Sequence, residues 1–240
     1  MDASIIITSY NYEKYIEKTI KSCLNQDTEY SFEIIIVDDG STDRTSRILE
    51  SYSGSCRIFS MQNCGVEKAS NFGIRKSEGE FIVRLDADDL LNTNYLQNTI
   101  SYMKVFANDF LYTNYHDIDE NGNVVKTSDL PVFNVNEIFL RGDFLASGTL
   151  YNKSSFIESG GYNEDYKNCG LENYELILKM ISERKKGILL EEILFKYRRH
   201  STNMSHLRKE SIISYGKSLF KRNNYGEFKS NEYHPYSLKF

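Results

Sequence analysis

The chain has 240 residues, with 29 Lys and Arg against 34 Asp and Glu, a formal charge of −5 and 40% hydrophobic residues. That length allows one large domain or two small ones, and the apolar content supports a real core and excludes wholesale disorder. The acidic balance excludes a general nucleic-acid binder, which needs a basic excess.

In chain order, Ser4-Ile5-Ile6-Ile7 reads as a strand, and Tyr15, Ile16, Ile20, Cys23 and Leu24 fall on one helical stripe. Phe32 to Val37 is a second strand, Thr45 to Tyr52 a helix with Ser41 or Thr42 as N-cap, and Arg57 to Met61 a third strand. Val66 to Lys76 is helical, and Glu80 to Leu85 is a fourth strand. These strands are continuous apolar runs, the mark of a sheet buried on both faces. Strand–helix alternation predicts a mostly parallel, Rossmann-like α/β sheet. Beyond it, Tyr95 to Val105 is helical and Phe110 to Tyr115 a strand. Glu120-Asn121-Gly122-Asn123 is a hairpin turn into Val124-Val125, and Phe144 to Asn152 can form another strand. Gly160-Gly161-Tyr162 is a break, Leu171 to Arg184 an amphipathic helix, and Ile188 to Leu190 a short strand. The segment after Leu207 is net basic and aromatic; it reads as a terminal helical tail able to touch an anionic membrane face.

Cys23, Cys56, Cys64 and Cys169 show no Cys-x-x-Cys spacing, so a zinc site is not expected. With no signal peptide and no apolar run long enough to span a bilayer, the expected location is cytoplasmic, with free thiols.

Asp86-Ala87-Asp88 is the most informative motif. Two carboxylates at a strand end, two residues apart, point to one side and suit a hard divalent cation, Mn²⁺ or Mg²⁺, that completes its shell with substrate phosphate. The other strand ends are also polar: Thr8-Ser9-Tyr10-Asn11 and Asp38-Asp39-Gly40-Ser41. Open α/β sheets bind ligands at the carboxyl ends of their strands. No glycine-rich loop follows the first strand, so phosphate charge has to be met by metal or cations. Asp39 can accept from a base imide and Tyr10 can stack on a base. Asn71 flanks a helix start, and Lys68 can approach a diphosphate. Tyr197-Arg198-Arg199-His200 offers a guanidinium for phosphate and an imidazole for a metal shell. Glu172, in the first turn of its helix, is either a dipole-favoured carboxylate or a catalytic base.

Together these residues resemble inverting glycosyltransferases of the large GT-A-fold family 2, over about residues 3 to 205. The opening strand to Asn11, Glu33 through Asp43, Asn63-Cys64-Gly65 through Ile74, and Gly79 through Asp89 carry the likeness, with Gly160-Gly161-Tyr162 and Tyr197 to Ser205 as later landmarks. The resemblance implies a single GT-A domain over 1–205, with a nucleotide-sugar half (1–90), an acceptor half (91–205) and a tail (206–240). It implies a UDP-sugar donor, a glycan or lipid-linked acceptor and surface-polysaccharide synthesis. Donor binding falls to Thr8, Tyr10, Asn11, Asp39, Lys68, Asn71, Asp86 and Arg199, metal binding to Asp86, Asp88 and His200.

Two positions depart from the family. Thr8 stands where Pro is usual, and Glu172-Asn173 where Glu-Asp is usual, that Asp being the general base. A neutral amide is no base. Either Glu172 takes over, or the enzyme retains configuration, or the chain is a nucleotide-sugar-binding pseudoenzyme. A haloacid-dehalogenase-like phosphohydrolase also places Asp-x-Asp after a strand, but needs a later acidic motif that this sequence does not offer.

Overall fold

The computed structural model of the chain describes residues 1–141 and 147–229. Residues 144–146 of the expected strand and 230–240 of the expected tail lie outside the described residues. The first half runs β1 (Ala3–Ser9), α1 (Ile16–Leu24), β2 (Phe32–Asp38), α2 (Thr45–Glu50), β3 (Arg57–Ser60), α3 (Val66–Lys76) and β4 (Phe81–Asp86). Then come β5 (Leu90–Leu91), α4 (Tyr95–Phe106), β6 (Phe110–Ile118), β7 (Val124–Ser128), α5 (Val135–Arg141), β8 (Leu150–Asn152) and α6 (Lys153–Glu158). The chain continues through α7 (Glu172–Ser182), β9 (Gly187–Arg198), α8 (Met204–Leu207) and α9 (Lys209–Asn223).

The strands form one mixed sheet in the order β3-β2-β1-β4-β8-β6-β9-β5, with β7 on the edge of β6. β3, β2, β1 and β4 are parallel, and β8 runs antiparallel between β4 and β6. Both faces are covered, as the unbroken apolar runs required. Ile5, Ile7, Ile34, Ile36, Val83 and Leu85 face α1 and α4 on one side. Ile6 and Ile82 join α7 and α9 on the other, and Ile35 and Val37 meet Ala69 of α3. Successive residues of one strand thus serve opposite cores. Gly73 lets α3 approach closely: a Cβ there would lie 2.7 Å from Cγ2 of Ile6.

Several elements differ from expectation. α2 is not capped by Ser41 or Thr42: its first amides are met by Asp43 Oδ1 on Thr45 N (2.9 Å) and Glu13 Oε2 on Arg44 N (2.8 Å). Ionised carboxylates are stronger acceptors than hydroxyls. β9 extends over twelve residues where three were expected, paired along β6 with register shifts near Asn114. α9 packs Ile212, Tyr215, Leu219 and Phe220 into the core shared with α7, so its outward face offers Lys209, Lys217 and Lys221 instead of an apolar surface. Among the described residues no helix is long and apolar enough to cross a membrane.

The register matters most for function. Ser9 pairs with Asp38 and Thr8 with Asp86, which sets the polar ends of β1, β2 and β4 level at one edge.

Candidate active site

A cleft of about 580 Å³ opens at that edge, and Thr8, Tyr10, Asn11, Asp39, Asp86 and His200 all line it. Its floor is built from backbone and side-chain hydrogen bonds. Asn11 adopts a left-handed backbone (φ 61°), which Asn tolerates better than most residues. Its side-chain oxygen accepts from Thr42 N at 2.7 Å and Asp43 N at 3.3 Å, and its own amide donates to Ser41 Oγ at 2.9 Å. That tie leaves Tyr10 at the mouth of the cleft, 42% exposed. Asp39 is buried; Oδ1 accepts from Cys64 N (2.8 Å) and Cys64 Sγ (3.2 Å), and Oδ2 from Gly65 N (2.8 Å). Oδ2 keeps a second lone pair, so Asp39 is held in place and still able to accept through that oxygen.

The acidic strand end divides into two groups. Asp86 is ion-paired with Arg84 Nη2, and Arg84 Nη1 donates to Glu172 Oε1 at 3.0 Å. Arg84 is 4% exposed, and the two carboxylates hold its charge there against the burial that opposes it. Asp88 turns the other way, its Oδ2 lying 2.7 Å from His200 Nε2. Burial pushes the Asp88 carboxyl up, with the His200 contact opposing and Asp86 adding to the rise. His200 is fixed by Thr202 Oγ1 at Nδ1 (2.7 Å) and by stacking on Tyr15 at 4.9 Å between ring centres.

Two carboxylates and an imidazole form a mixed oxygen and nitrogen donor set that fits Mn²⁺ or Mg²⁺. Asp86, Asp88 and His200 would hold such an ion, which would supply positive charge at the acidic strand end. The three ligand atoms are not gathered within 4.8 Å of one another, since Asp86 is drawn off by Arg84; among the described residues only Glu67, Cys169 and Glu172 gather so.

Five expected residues stand off the cleft wall: Asp88, buried behind His200, and Lys68, Asn71, Arg199 and Glu172. Lys68 is exposed on α3. Asn71 has its amide engaged, donating to Tyr162 O (2.8 Å) and Glu164 Oε1 (2.9 Å) and accepting from Tyr162 N (3.1 Å). It clamps the Gly160-Gly161-Tyr162 break. Arg199 donates to Asp117 Oδ1 at 2.6 Å and lies 4.3 Å over the Tyr197 ring, so both its partners are structural. Glu172 lies behind Arg84, buried, with its carboxyl pushed up to about 7 by burial and Arg84 opposing. Asn173 is also buried, accepting from the Tyr162 hydroxyl at 2.9 Å. Conversely, Arg208 lines the cleft, its Nη1 donating to Asn168 O at 2.7 Å, and Lys14 and Glu120 pair at 2.5 Å on the cleft wall. Sequence reading had placed Arg208 in the basic tail; its proximity to His200 in the chain was the available signal.

Acidic strand ends, an exposed tyrosine ring and a carboxylate–imidazole pair meet at the carboxyl edge of an α/β sheet, where sheets of this class bind their ligands. The chain belongs to the glycosyl transferase family 2, whose family model matches residues 4–160. It is 31% identical over 182 residues to chondroitin synthase of Escherichia coli, covering 74% of this chain and 26% of that protein. The fold is GT-A. S. aureus TarS residues 1–349, solved with UDP-GlcNAc, superposes with a TM-score of 0.68 at 19% identity, covering 93% of this chain and 74% of that one. The mannosyltransferase PcManGT of Pyrobaculum calidifontis, solved with GDP-Man and Mn²⁺, gives 0.69 at 14% identity, covering 98% and 67%. At those identities the likeness is one of fold. The chain spans between about a fifth and a third of the length of several curated relatives, chondroitin synthase among them, and 76% of one from Methanocaldococcus jannaschii. Family membership removes the phosphohydrolase reading.

Proposed function

We propose that the protein transfers a sugar from a UDP-sugar to a hydroxyl of a glycan or lipid-linked acceptor, with Mn²⁺ or Mg²⁺, in surface-polysaccharide synthesis. The observation that carries this reading is the convergence of Tyr10, Asn11, Asp39, Asp86 and His200 on one cleft of nucleotide-sugar size. Tyr10 stacks on the base and Asp39 accepts from its imide N–H. Asp86, Asp88 and His200 would hold the metal, which supplies electrostatic stabilisation of the departing diphosphate. Arg208 adds cationic charge on the same wall, which the diphosphate also needs. Family membership supports inversion at the anomeric carbon.

Glu172 takes a positioning part in this reading. It holds one edge of the Arg84 guanidinium while the other holds Asp86, so it sets where the acidic strand end lies when donor arrives. The exposed lysines of α9 suit an anionic membrane face that presents a lipid-linked acceptor.

The test is a screen of UDP-, GDP- and ADP-sugars for hydrolysis and transfer, with and without Mn²⁺, with product configuration read by NMR. Turnover of a UDP-sugar that chelation abolishes is the expected result. Asp88→Ala should lose that turnover while keeping its melting temperature within a few degrees; full activity in this variant overturns the metal assignment.

A further inference from the structure

Behind the cleft, Glu67 from the first turn of α3, Cys169 from the loop before α7, and Glu172 at the head of α7 bring one ligand atom each within 4.8 Å of one another. Glu67 and Glu172 are buried, at 0% and 5% exposure. Glu67 is pinned: Oε1 accepts from Cys169 N at 2.7 Å and Oε2 from Asn168 N at 2.8 Å. These bonds use one lone pair on each oxygen, and the Cys169 thiol also donates to Glu67, a contact that an ion would replace on taking the thiolate. Glu172 Oε1 is taken by Arg84, but Glu172 Oε2 is buried with no hydrogen-bond partner. A buried carboxylate oxygen left so carries a desolvation cost that an unseen ligand would offset.

The charge balance points the same way. Among the described residues, Arg84 is the cation paired with Glu172, and it is shared with Asp86. One guanidinium therefore faces two carboxylates, with Glu67 as a third close by. A second cation at the Glu67–Glu172 junction would restore the balance. We propose that Glu67, Cys169 and Glu172 form a second divalent-metal site, chemically distinct from the Asp86–Asp88–His200 set, that takes Zn²⁺ or another borderline ion.

The donor chemistry selects the ion. A thiolate beside two carboxylates favours Zn²⁺ or Co²⁺ over the hard Mn²⁺ and Mg²⁺. Zinc binds sulfur at roughly 2.3 Å and carboxylate oxygen at roughly 2.0–2.2 Å, which sets ligand atoms roughly 3.5 Å apart in a tetrahedron. Donors already within 4.8 Å need only a small inward movement. Burial, with Glu172 adding to it, pushes the Cys169 thiol up in the metal-free chain, so an ion binding there would displace the thiol proton as the thiolate forms. Three protein ligands leave a fourth position for water. The sequence argued against zinc because Cys169 has no nearby cysteine; the fold supplies its partners from residue 67 and residue 172 instead. A metal here cross-links α3 to α7 and fixes the loop whose Asn168 lines the cleft, whatever the donor sugar proves to be.

The test uses the full chain, stripped of metal and held in saturating Mg²⁺ to fill the hard site, and titrated with Co²⁺. One equivalent should produce a near-ultraviolet thiolate-to-cobalt charge-transfer band, and Zn²⁺ should displace it. Cys169→Ser should abolish the band, and Glu67→Gln should weaken Co²⁺ binding at least tenfold. Asp88→Ala should leave the band intact. A variant in which Cys23, Cys56 and Cys64 are all replaced by Ala keeps Cys169 as the sole thiol and should retain it, which covers the case where Cys169→Ser does not fold. No band in the wild-type chain, a band that survives in folded Cys169→Ser, or loss of the band from the folded sole-thiol variant overturns the proposal. Transferase activity enters none of these readouts, so the site and the proposed reaction stand or fall separately.

Discussion

Replacing Arg84 by Met should be among the most damaging single changes in this chain, and its cost should depend on pH in a defined direction. Arg84 is 4% exposed and bridges Asp86 and Glu172. Removing one partner of a buried ion pair costs about 3–5 kcal/mol, because the remaining charge stays buried. In a domain of this size each kcal/mol lowers the melting temperature by about 2–4 °C, so a fall of roughly 6–20 °C is expected. The pH dependence follows from Glu172, whose carboxyl is raised from 4.5 to about 7, chiefly by burial. A raised acid contributes stability that is full below its unfolded value and lost as pH rises through its folded value. In the metal-free wild-type chain that loss runs from about pH 4.5 to about 7 and amounts to roughly 3 kcal/mol, at about 1.4 kcal/mol per pH unit. Arg84 holds the value down, so in Arg84→Met Glu172 stays protonated further up the scale. Above pH 7 the wild-type chain has finished losing stability through this group, while the variant continues to lose it. The deficit should therefore be smallest near pH 5.5 and widen above pH 7 by up to about 1.4 kcal/mol per unit. Urea unfolding at pH 5.5, 7.0 and 8.5 reads this directly. Arg84→Met/Glu172→Gln, which removes the stranded charge, should recover more than half of the loss at pH 8.5. A deficit below 1 kcal/mol, or one equal at all three pH values, would refute the reasoning.

Two further outcomes follow from the cleft. Asp39→Asn should weaken UDP binding by about 1–3 kcal/mol while leaving GDP unchanged, checked by calorimetry; equal loss for both nucleotides would mean that Asp39 serves only the Cys64–Gly65 loop. Arg208→Ala should raise KM for the donor roughly tenfold with kcat nearly unchanged, the pattern of a group that binds ground state and transition state alike.

The parallel half of the sheet was legible because its strands announce themselves twice, as apolar runs and as runs ending in acid. Ile5 and Ile7 face one core and Ile6 the other, which only a doubly covered strand requires. The later elements were harder to read. β9 carries Glu191, Glu192 and Lys196 within a twelve-residue strand, so its apolar pattern breaks where its pairing with β6 shifts register. Arg199 offers a guanidinium beside His200, and charge says nothing about which way a side chain faces; Asp117 takes it instead. Asn71 has the right chemistry for a ligand contact, but its amide is occupied across 91 residues of sequence by Tyr162, a pairing no local pattern reveals. Arg84 was hidden in an apolar run, though its spacing from Asp86 already placed both side chains on one side of β4.

The same network accounts for the residue that departs most from the family. Asn173 follows Glu172 at the start of α7 and accepts from the Tyr162 hydroxyl, whose ring lies 5.9 Å from the Arg84 guanidinium carbon. Arg84 already serves Asp86 and Glu172, with Glu67 close behind. In the metal-free chain an aspartate at position 173 would put a further negative charge into a buried cluster where, among the described residues, Arg84 is the paired cation and is already shared. The neutral amide makes the same hydrogen bond to Tyr162 without that charge. On this view Asn173 belongs with Glu67, Arg84 and Glu172 as one electrostatic unit, and Asn173→Asp alone should lower stability at neutral pH before it alters any chemistry.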